Sequence, residues 1–414
     1  VGRIVSKLLV FFMVRLYTAC LSPAEYSAAD LIVDMANLLI PLASLGVSEG
    51  IFRNAANRNR DKEAYLTAGL AVLGAGSLAF LLLSPLLTCI PLFTGTAWLI
   101  VLYVLLANLH AVVSQYLFAV GRVRLFAGQG VLNTVLIIVL NILFLPVLKL
   151  GVTGYVMSTF IADGLTTLLL VLYTRLWRSV RRMSLRELWA TAKPMLCFCL
   201  PLVPATLCWW ITSVSDRYMI AYFLGTEANG LYAVACKIPT VLTLLSTIFL
   251  EAWQFSAIEE ATGDREVHIR FYGQVWSAFL SAMVMAGSVL IVLCRVEIRL
   301  LSAARYFEAW KYVPVLSIAM VFSAFASFMG SVYVVTEKSR LSFRTTLWGA
   351  LANILLNLLL IPRIGIQGAA IATLASYVLC FSIRAVSARK LIPFPLRFTR
   401  LVFSAALLGI QSLL

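Results

Sequence analysis

The amino-acid sequence predicts an all-α, polytopic membrane protein made of two pseudo-symmetric lobes with six membrane spans each. The first observation is the composition: 62% of the 414 residues are hydrophobic and 12% are charged, whereas soluble domains average roughly 45–50% apolar and 25% charged residues. The second is a series of long apolar segments, and the third is a motif that recurs half a chain length later. The basic residues lie in short connections, which gives no support to nucleic-acid binding.

About twelve spans are predicted from segments that reach the roughly 20 apolar residues needed to cross a bilayer. They cover residues 1–20, 28–50, 64–88, 96–118, 127–147, 152–174, 195–222, 229–252, 271–294, 312–335, 344–361 and 366–386. A thirteenth apolar segment begins near residue 400 and is incomplete, and the chain begins at Val1. We therefore expect the natural protein to be longer.

Four regions follow from these spans. An N-terminal lobe covers 1–174, a cytoplasmic linker covers 175–194, a C-terminal lobe covers 195–387, and 388–414 form a cytoplasmic loop and the start of an additional span. The linker has the spacing of an amphipathic helix. We expect it to lie on the anionic inner leaflet and to connect the lobes.

The basic residues predict the orientation in the membrane. Most of the 33 lysines and arginines lie in connections that follow even-numbered spans. The positive-inside rule places these connections and the N-terminus in the cytoplasm. The connection around residues 295–311 is an exception, since it follows an odd-numbered span and is basic.

A repeated motif supports the two-lobe interpretation. Spans 5 and 6 contain Asn141-x4-Pro146 and Gly151-x2-Gly154-x4-Thr159, and spans 11 and 12 contain Asn357-x4-Pro362 and Gly365-x2-Gly368-x4-Thr373. Two lobes with the same helix order and orientation are typical of transporters with a substrate path between the halves. A simpler interpretation, in which Gly and Pro mark hairpin turns, remains open.

Basic residues inside the spans are the first candidate site. A charge within a membrane span costs about 2.5–3.5 kcal/mol on insertion scales, so it is retained where it lines a cavity, pairs or functions. Lys7 and Arg15 lie on one stripe of the first span with Arg3, and Arg217 and Lys237 lie in the hairpin 213–237. We expect Lys7, Arg15, Arg217 and Lys237 to line a cavity, with snorkelling of the first-span cations to the interface as the alternative.

Acidic residues inside the spans are candidates for ion coupling or for structural pairing: Asp30, Asp34, Asp163, Asp216 and Glu251. Asp30 and Asp34 are one helical turn apart, so they could neutralise the first-span cations or bind a coupling cation. Asp163 either exchanges a proton or Na⁺, or bonds to a polar partner. Asp216 and Arg217 point about 100° apart on a helix, so one could face the cavity while the other packs inside its own lobe.

Catalytic motifs are missing from the sequence. It contains no P-loop, nucleotide fingerprint or His-rich metal motif, and no Ser–His–Asp set with a partner for each member. We therefore expect no enzyme activity, no cofactor and no metal centre. Transport would be powered by a Na⁺ or H⁺ gradient, by the membrane potential, or by the substrate's own gradient.

Three stretches resemble a known family. LSPAEYSAADLI and LASLGVSEGIFRN are similar to the start of bacterial polysaccharide-type flippases, which export O-antigen and capsule repeat units. DRYMIAYFLGTEANGLYAVACKI with EAWQFSAIEE resembles their seventh and eighth helices, and IPRIGIQGAAIATLASYV resembles the entry to their twelfth. The wider superfamily also contains the lipid II flippases and the multidrug and toxin extrusion antiporters.

The resemblance implies two six-helix lobes in a V that alternate between inward- and outward-open states in the bacterial cytoplasmic membrane. It implies an oligosaccharide on undecaprenyl pyrophosphate as cargo, with polysaccharide polymerase and glycosyltransferases as functional partners. Arg53, Arg217 and Lys237 match positions where the family commonly has these residues. Two departures are Tyr17-Thr18-Ala19, where the family often has Tyr-Thr-Arg, and Ser27 in place of Gly.

Two other functions remain open. A drug or organic-cation antiporter of the same fold would place acids in its central cavity. A membrane acyl- or glycosyltransferase would need a base, for which His110 is the candidate inside a span.

Overall fold

The structure, a computed structural model, describes residues 13–56, 61–260, 265–336 and 339–413. Within these residues the regular elements are helical, and sixteen are α-helices. The helices are α1 Val14–Cys20, α2 Pro23–Ser44, α3 Val47–Ala55, α4 Lys62–Leu83, α5 Ala97–Ala119, α6 Val123–Ile142, α7 Gly151–Thr174, α8 Leu185–Cys199, α9 Leu202–Leu224, α10 Thr226–Lys237, α11 Thr240–Glu260, α12 Arg265–Leu301, α13 Val313–Val335, α14 Ser339–Ile364, α15 Ile366–Leu391 and α16 Phe398–Gln411.

Ten helical segments of the described chain are long and apolar enough to cross a membrane. The predicted all-α, multi-pass class is therefore confirmed. The first predicted span is not among the ten, and its first twelve residues lie outside the described part. The seventh is also not among them, and the side chains of several residues within 205–212 of α9 lie outside the described part.

The chain forms two compact units, Val1–Trp210 and Ile211–Leu414, which divide inside α9. The division falls later than the predicted lobe boundary because α8 packs on α3 and α4 of the first unit. Gly50 permits the close approach, since a Cβ atom there would lie 2.4 Å from Met195 Cγ and 2.6 Å from Cys199 Sγ. The segment that was expected to connect the lobes thus contributes a helix to the first unit.

Capping motifs explain where two helices begin. Ser22 and Glu25 form a capping box in front of α2, with Pro23 in the first turn. Each side chain of such a box satisfies a backbone N–H that has no partner in the helix. The second span therefore starts before the predicted residue 28. Ser184 and Glu187 cap α8 in the same way, and hydrogen bonds from Ser184 to the carboxylate hold the pKa of Glu187 below its usual range.

Equivalent helices pack alike within each unit. In the first unit α7 packs on α5 and α6, and in the second α15 packs on α13 and α14. The helix of the second span is also interrupted in each unit. Leu45 and Gly46 have φ values of 53° and 67° between α2 and α3, and Pro239, which has no N–H to donate, separates α10 from α11.

The glycines of the repeated motif form equivalent turns in both units. Gly151 and Gly365 have positive φ values of 58° and 66° where the sixth and twelfth spans begin, a conformation that side chains disfavour. A Cβ at Gly154 would lie 2.9 Å from Leu150 Cβ, and one at Gly368 would lie 2.6 Å from the Leu360 carbonyl. The glycines therefore mark hairpin turns, and they do so at matching places in both units.

Substitution of Gly368 by Ala should destabilise the second unit. The added Cβ would collide with the backbone of Leu360 at 2.6 Å, and overpacking of this kind costs about 1–3 kcal/mol. Thermal unfolding of the purified protein in detergent measures the effect. Gly409→Ala is the matched control, because a Cβ at Gly409 meets no atom within 4 Å. An equal unfolding temperature for both variants would contradict the close-packing explanation.

Candidate functional sites

A buried carboxylate lies at the centre of a polar cluster in the first unit. Asp163 on α7 is buried, and its Oδ1 accepts a hydrogen bond of 2.8 Å from Nδ2 of Asn133 on α6. Thr166 donates to Asn133 Oδ1 at 3.4 Å. This hydrogen bond fits the interpretation in which Asp163 bonds to a polar partner, the alternative to exchange of a proton or Na⁺. We call Asp163, Asn133, Thr166, Thr167 and His110 the first polar centre.

His110 is the member of this centre on α5. Its Nδ1 lies 3.0 Å from the hydroxyl of Thr167, and Thr167 donates to the main-chain oxygen of Asp163 at 2.6 Å. Ser114 Oγ lies 3.4 Å from Nε2 of the same ring. Both imidazole nitrogens therefore face hydroxyl groups, which corresponds to a hydrogen-bonded packing role.

A second buried carboxylate occupies the second unit. Asp216 on α9 is buried, and its Oδ2 accepts hydrogen bonds from the Tyr232 hydroxyl on α10 and, at 3.4 Å, from Thr373 Oγ1 on α15. Its Oδ1 accepts from the backbone N–H of Arg217 at 2.9 Å. Asp216 is therefore the residue of the Asp216–Arg217 pair that packs inside its own unit.

Two asparagines of α14 extend this cluster. Asn353 Nδ2 lies 3.4 Å from both Thr373 Oγ1 and Ser376 Oγ, and Asn357 Nδ2 donates to Asn353 Oδ1 at 2.9 Å. Asn357 is fully buried, and its Oδ1 has no hydrogen-bond partner within the described residues. We call Asp216, Tyr232, Thr373, Asn353 and Asn357 the second polar centre; it is rich in oxygen atoms that could bind a hard cation.

The predicted basic residues lie on the accessible parts of their helices. Arg15 on α1 is exposed, and Arg217 and Lys237 are partly exposed. Arg53 on α3 is exposed, and its guanidinium lies 4.0 Å above the ring of Phe198. Lys7 lies outside the described residues. Their convergence on one cavity stays a prediction.

The remaining predicted acids differ in their surroundings. Asp30 is buried on α2, and Asp34, one turn later, is partly exposed. The main-chain oxygen of Asp34 accepts a hydrogen bond of 2.9 Å from Trp210 Nε1. The side chain of Glu251 lies outside the described residues.

Tyr232 was not predicted as a site residue. It follows Asp216 across the turn at Gly225, so the hairpin of α9 and α10 brings the two together. A polar aromatic residue on the second arm of a hairpin, opposite an acid on the first, is the signal that could have indicated this bond. Asn353 bonds between helices, to Thr373 on α15.

The fold is similar to that of solved membrane transporters, including two that are described as members of the MOP superfamily. The lipid II flippase MurJ in an inward closed conformation superposes with a TM-score of 0.72 and 14% identity over 100% of this chain and 89% of that one. An inward-facing multidrug resistance transporter of the MATE family gives 0.67 and 14% over 94% of each chain. A Pyrococcus furiosus transporter, for which a reverse polarity of the binding pocket is reported to suggest a different function, gives 0.61 and 16% over 95% of this chain and 93% of that one.

The sequence places the chain within a family. Residues 1–254 match the family described as polysaccharide biosynthesis protein, which is more than half of the chain. The protein belongs to this family, and the resemblance to polysaccharide-type flippases is confirmed. No curated protein sequence matches the chain.

Replacement of Tyr232 by Phe should destabilise the second unit by about 1–3 kcal/mol, because it removes a hydrogen-bond donor from a buried carboxylate. The ring and its packing are retained. Unfolding of the purified protein in detergent, followed by intrinsic fluorescence, measures the change. Tyr173→Phe is the control, since Tyr173 is 77% exposed. Equal stability of the two variants would show that the bond to Asp216 contributes nothing.

Proposed function

We propose that this protein is a flippase that translocates an undecaprenyl-pyrophosphate-linked oligosaccharide across the bacterial cytoplasmic membrane by alternating access. Membership in the polysaccharide biosynthesis family, combined with a transporter fold, is the observation that carries the proposal. A sugar repeat unit that is assembled on a membrane lipid has to cross the hydrocarbon core of the bilayer. A transporter fold can provide the path.

The cargo chemistry fits the basic residues inside the spans. A pyrophosphate carries about two negative charges, and guanidinium and ammonium groups bind phosphate oxygens by charge-assisted hydrogen bonds. Arg15, Arg217 and Lys237 lie at least partly at the surface of their units. In the proposed mechanism these residues, with Lys7 and Arg53, hold the pyrophosphate while the polyprenyl chain stays in the lipid.

The distribution of charge favours this cargo over an organic cation. A site for a bulky organic cation would need accessible acids, whereas Asp163 and Asp216 are buried and hydrogen-bonded within their units. The accessible charges of the spans include the basic residues Arg15, Arg217 and Lys237 besides the partly exposed Asp34. The Pyrococcus furiosus neighbour, with its reported reverse pocket polarity, supports the idea that this fold accommodates cargos of different charge.

We further propose that the second polar centre binds the coupling cation, Na⁺ or H⁺. A carboxylate, two hydroxyls and two amide oxygens from four helices meet there, and the Asn357 carbonyl has no hydrogen-bond partner among the described residues. Binding a cation would change the bonds that hold α9, α10, α14 and α15 together. This is a direct route from an ion gradient to a change in helix packing.

The orientation and the partners are part of the same proposal. The basic connections would lie in the cytoplasm, where glycosyltransferases assemble the repeat unit, and the polymerase would act on the translocated product. An acyl- or glycosyltransferase activity has little support, because both nitrogens of the His110 imidazole face hydroxyl groups within the first polar centre.

Replacement of Arg217 by Ala should lower export of lipid-linked sugar by about 10- to 100-fold, the loss expected for a charge-assisted bond worth roughly 1.5–3 kcal/mol. Arg217→Lys should retain part of the activity because the charge remains. Surface polysaccharide in a strain that carries only the variant gene measures the effect, with protein level checked in the membrane fraction. Arg124→Ala, at an exposed position in the first turn of α6, is the control. Wild-type export by Arg217→Ala, Lys237→Ala, Arg15→Ala and Lys7→Ala would refute the pyrophosphate site.

Replacement of Asp216 by Asn should abolish the dependence of transport on a cation gradient. The amide oxygen can still accept the bonds from Tyr232 and Thr373, and only the bond from the Arg217 N–H is lost, so the fold should persist while the negative charge is removed. Translocation in membrane vesicles with and without imposed Na⁺ and H⁺ gradients measures the coupling. If Asp163→Asn removes the dependence and Asp216→Asn retains it, the first polar centre is the coupling site and this assignment is wrong.

A further inference from the structure

α12 is longer than the membrane core is thick, and its C-terminal end carries basic residues. The helix has 37 residues, or about 55 Å at 1.5 Å per residue, whereas the hydrocarbon core is roughly 30 Å thick. The chain then turns into a short 3₁₀ helix, Ala304–Lys311, which packs against α12 and α10. This is the basic connection that departs from the charge pattern of the other odd-numbered loops.

Arg295 is held in a fixed orientation at this end. Its guanidinium carbon lies 4.1 Å from the centroid of the Trp310 ring, and its side chain is exposed. Among the described residues no acceptor forms a hydrogen bond or ion pair with this guanidinium. Stacking on the indole restricts the plane of the group but leaves the N–H donors at its edge directed outward.

The nearest carboxylates do not neutralise Arg295. Glu297 follows two residues later and therefore points about 200° away around the helix; its Oε2 is buried. Glu308 forms an ion pair with Lys311. Arg299, one turn after Arg295, lies over the ring of Phe307 with 5.4 Å to its centroid. The end of α12 therefore keeps a local excess of positive charge.

An exposed apolar stripe runs along α12 towards Arg295. Its members recur at helical spacing, each is at least half exposed, and they end beside the arginines: Met285, Val289, Val292, Val296 and Leu300. Such a stripe faces lipid in a membrane span. A chain of methylene groups could lie along it, with its polar end at Arg295.

We propose that Arg295 and Trp310 bind the phosphodiester of an anionic phospholipid headgroup, with an acyl chain of the same lipid along Met285, Val289 and Val292, the part of the stripe that precedes Arg295. Arginine binds phosphate through paired N–H groups, and Trp is enriched where the membrane meets water. One guanidinium with no acceptor among the described residues matches the single charge of a phosphodiester better than the two charges of a pyrophosphate. In the orientation predicted from the charge pattern, the site lies on the side opposite to the basic connections, and it is independent of the proposed cargo.

Lipid binding to the purified protein tests this site. Native mass spectrometry with phosphatidylglycerol, and with phosphatidylcholine as the zwitterionic reference, measures retention of each lipid. Wild type should retain phosphatidylglycerol preferentially, and Arg295→Gln should weaken this binding about tenfold, the loss of roughly one charge-assisted hydrogen bond. Arg295→Lys and Trp310→Leu should give intermediate losses.

Arg363→Gln is the matched control, because Arg363 is exposed at the end of α14 on the same predicted side and its loss changes the net charge equally. Its phosphatidylglycerol binding should stay within twofold of wild type. Equal retention of the two lipids by wild type, or equal losses in Arg295→Gln and Arg363→Gln, would overturn the proposal. Displacement of phosphatidylglycerol by equimolar farnesyl diphosphate would also overturn it, since the site would then prefer a diphosphate. Unchanged unfolding temperatures of the variants in detergent confirm that the fold is retained.

Discussion

Each unit has to hold a carboxylate inside an apolar bundle, and this requirement shapes both polar centres. Burying a charge that has no hydrogen-bond or ionic partner strongly destabilises the folded protein. Asp216 is accommodated because hydroxyl groups from α10 and α15 reach its oxygens, and Asp163 because Asn133 does so from α6. The helices that provide these partners are therefore tied to the positions of the two acids, and a change at either acid alters their packing.

The two centres use different chemistry on a shared framework. Asn141 and Asn357 occupy the same place in the repeated motif, and both are buried. Asn141 donates to the main-chain oxygen of Ile137 within α6, whereas Asn357 donates to Asn353 and so joins the network around Asp216. The glycine hairpins that follow are alike in both units. The two units therefore share the turns and the helix packing, but they differ in the hydrogen bonds of their polar side chains.

Much of the fold could be predicted from the sequence, because apolar length and the Asn–Pro–Gly–Thr motif are local signals. Asp216 and Asp163 could be singled out since charges in apolar segments are conspicuous. Their partners could not, because the bonds to Tyr232 and Asn133 depend on how neighbouring helices are rotated and shifted. The packing of α8 in the first unit could not be predicted for the same reason. It depends on the close contact of Met195 and Cys199 with Gly50, which no local sequence pattern reveals.

The most direct test of the flippase function is leaflet-to-leaflet transfer by the purified protein. Liposomes with and without the protein would carry an undecaprenyl-pyrophosphate-linked oligosaccharide, and a lectin or glycosidase added outside would report the fraction exposed over time. The proposed function predicts protein-dependent transfer that saturates with lipid-linked sugar and does not occur with an ethidium-like cation. No transfer of the lipid-linked sugar, together with protein-dependent exchange of the organic cation, would contradict it.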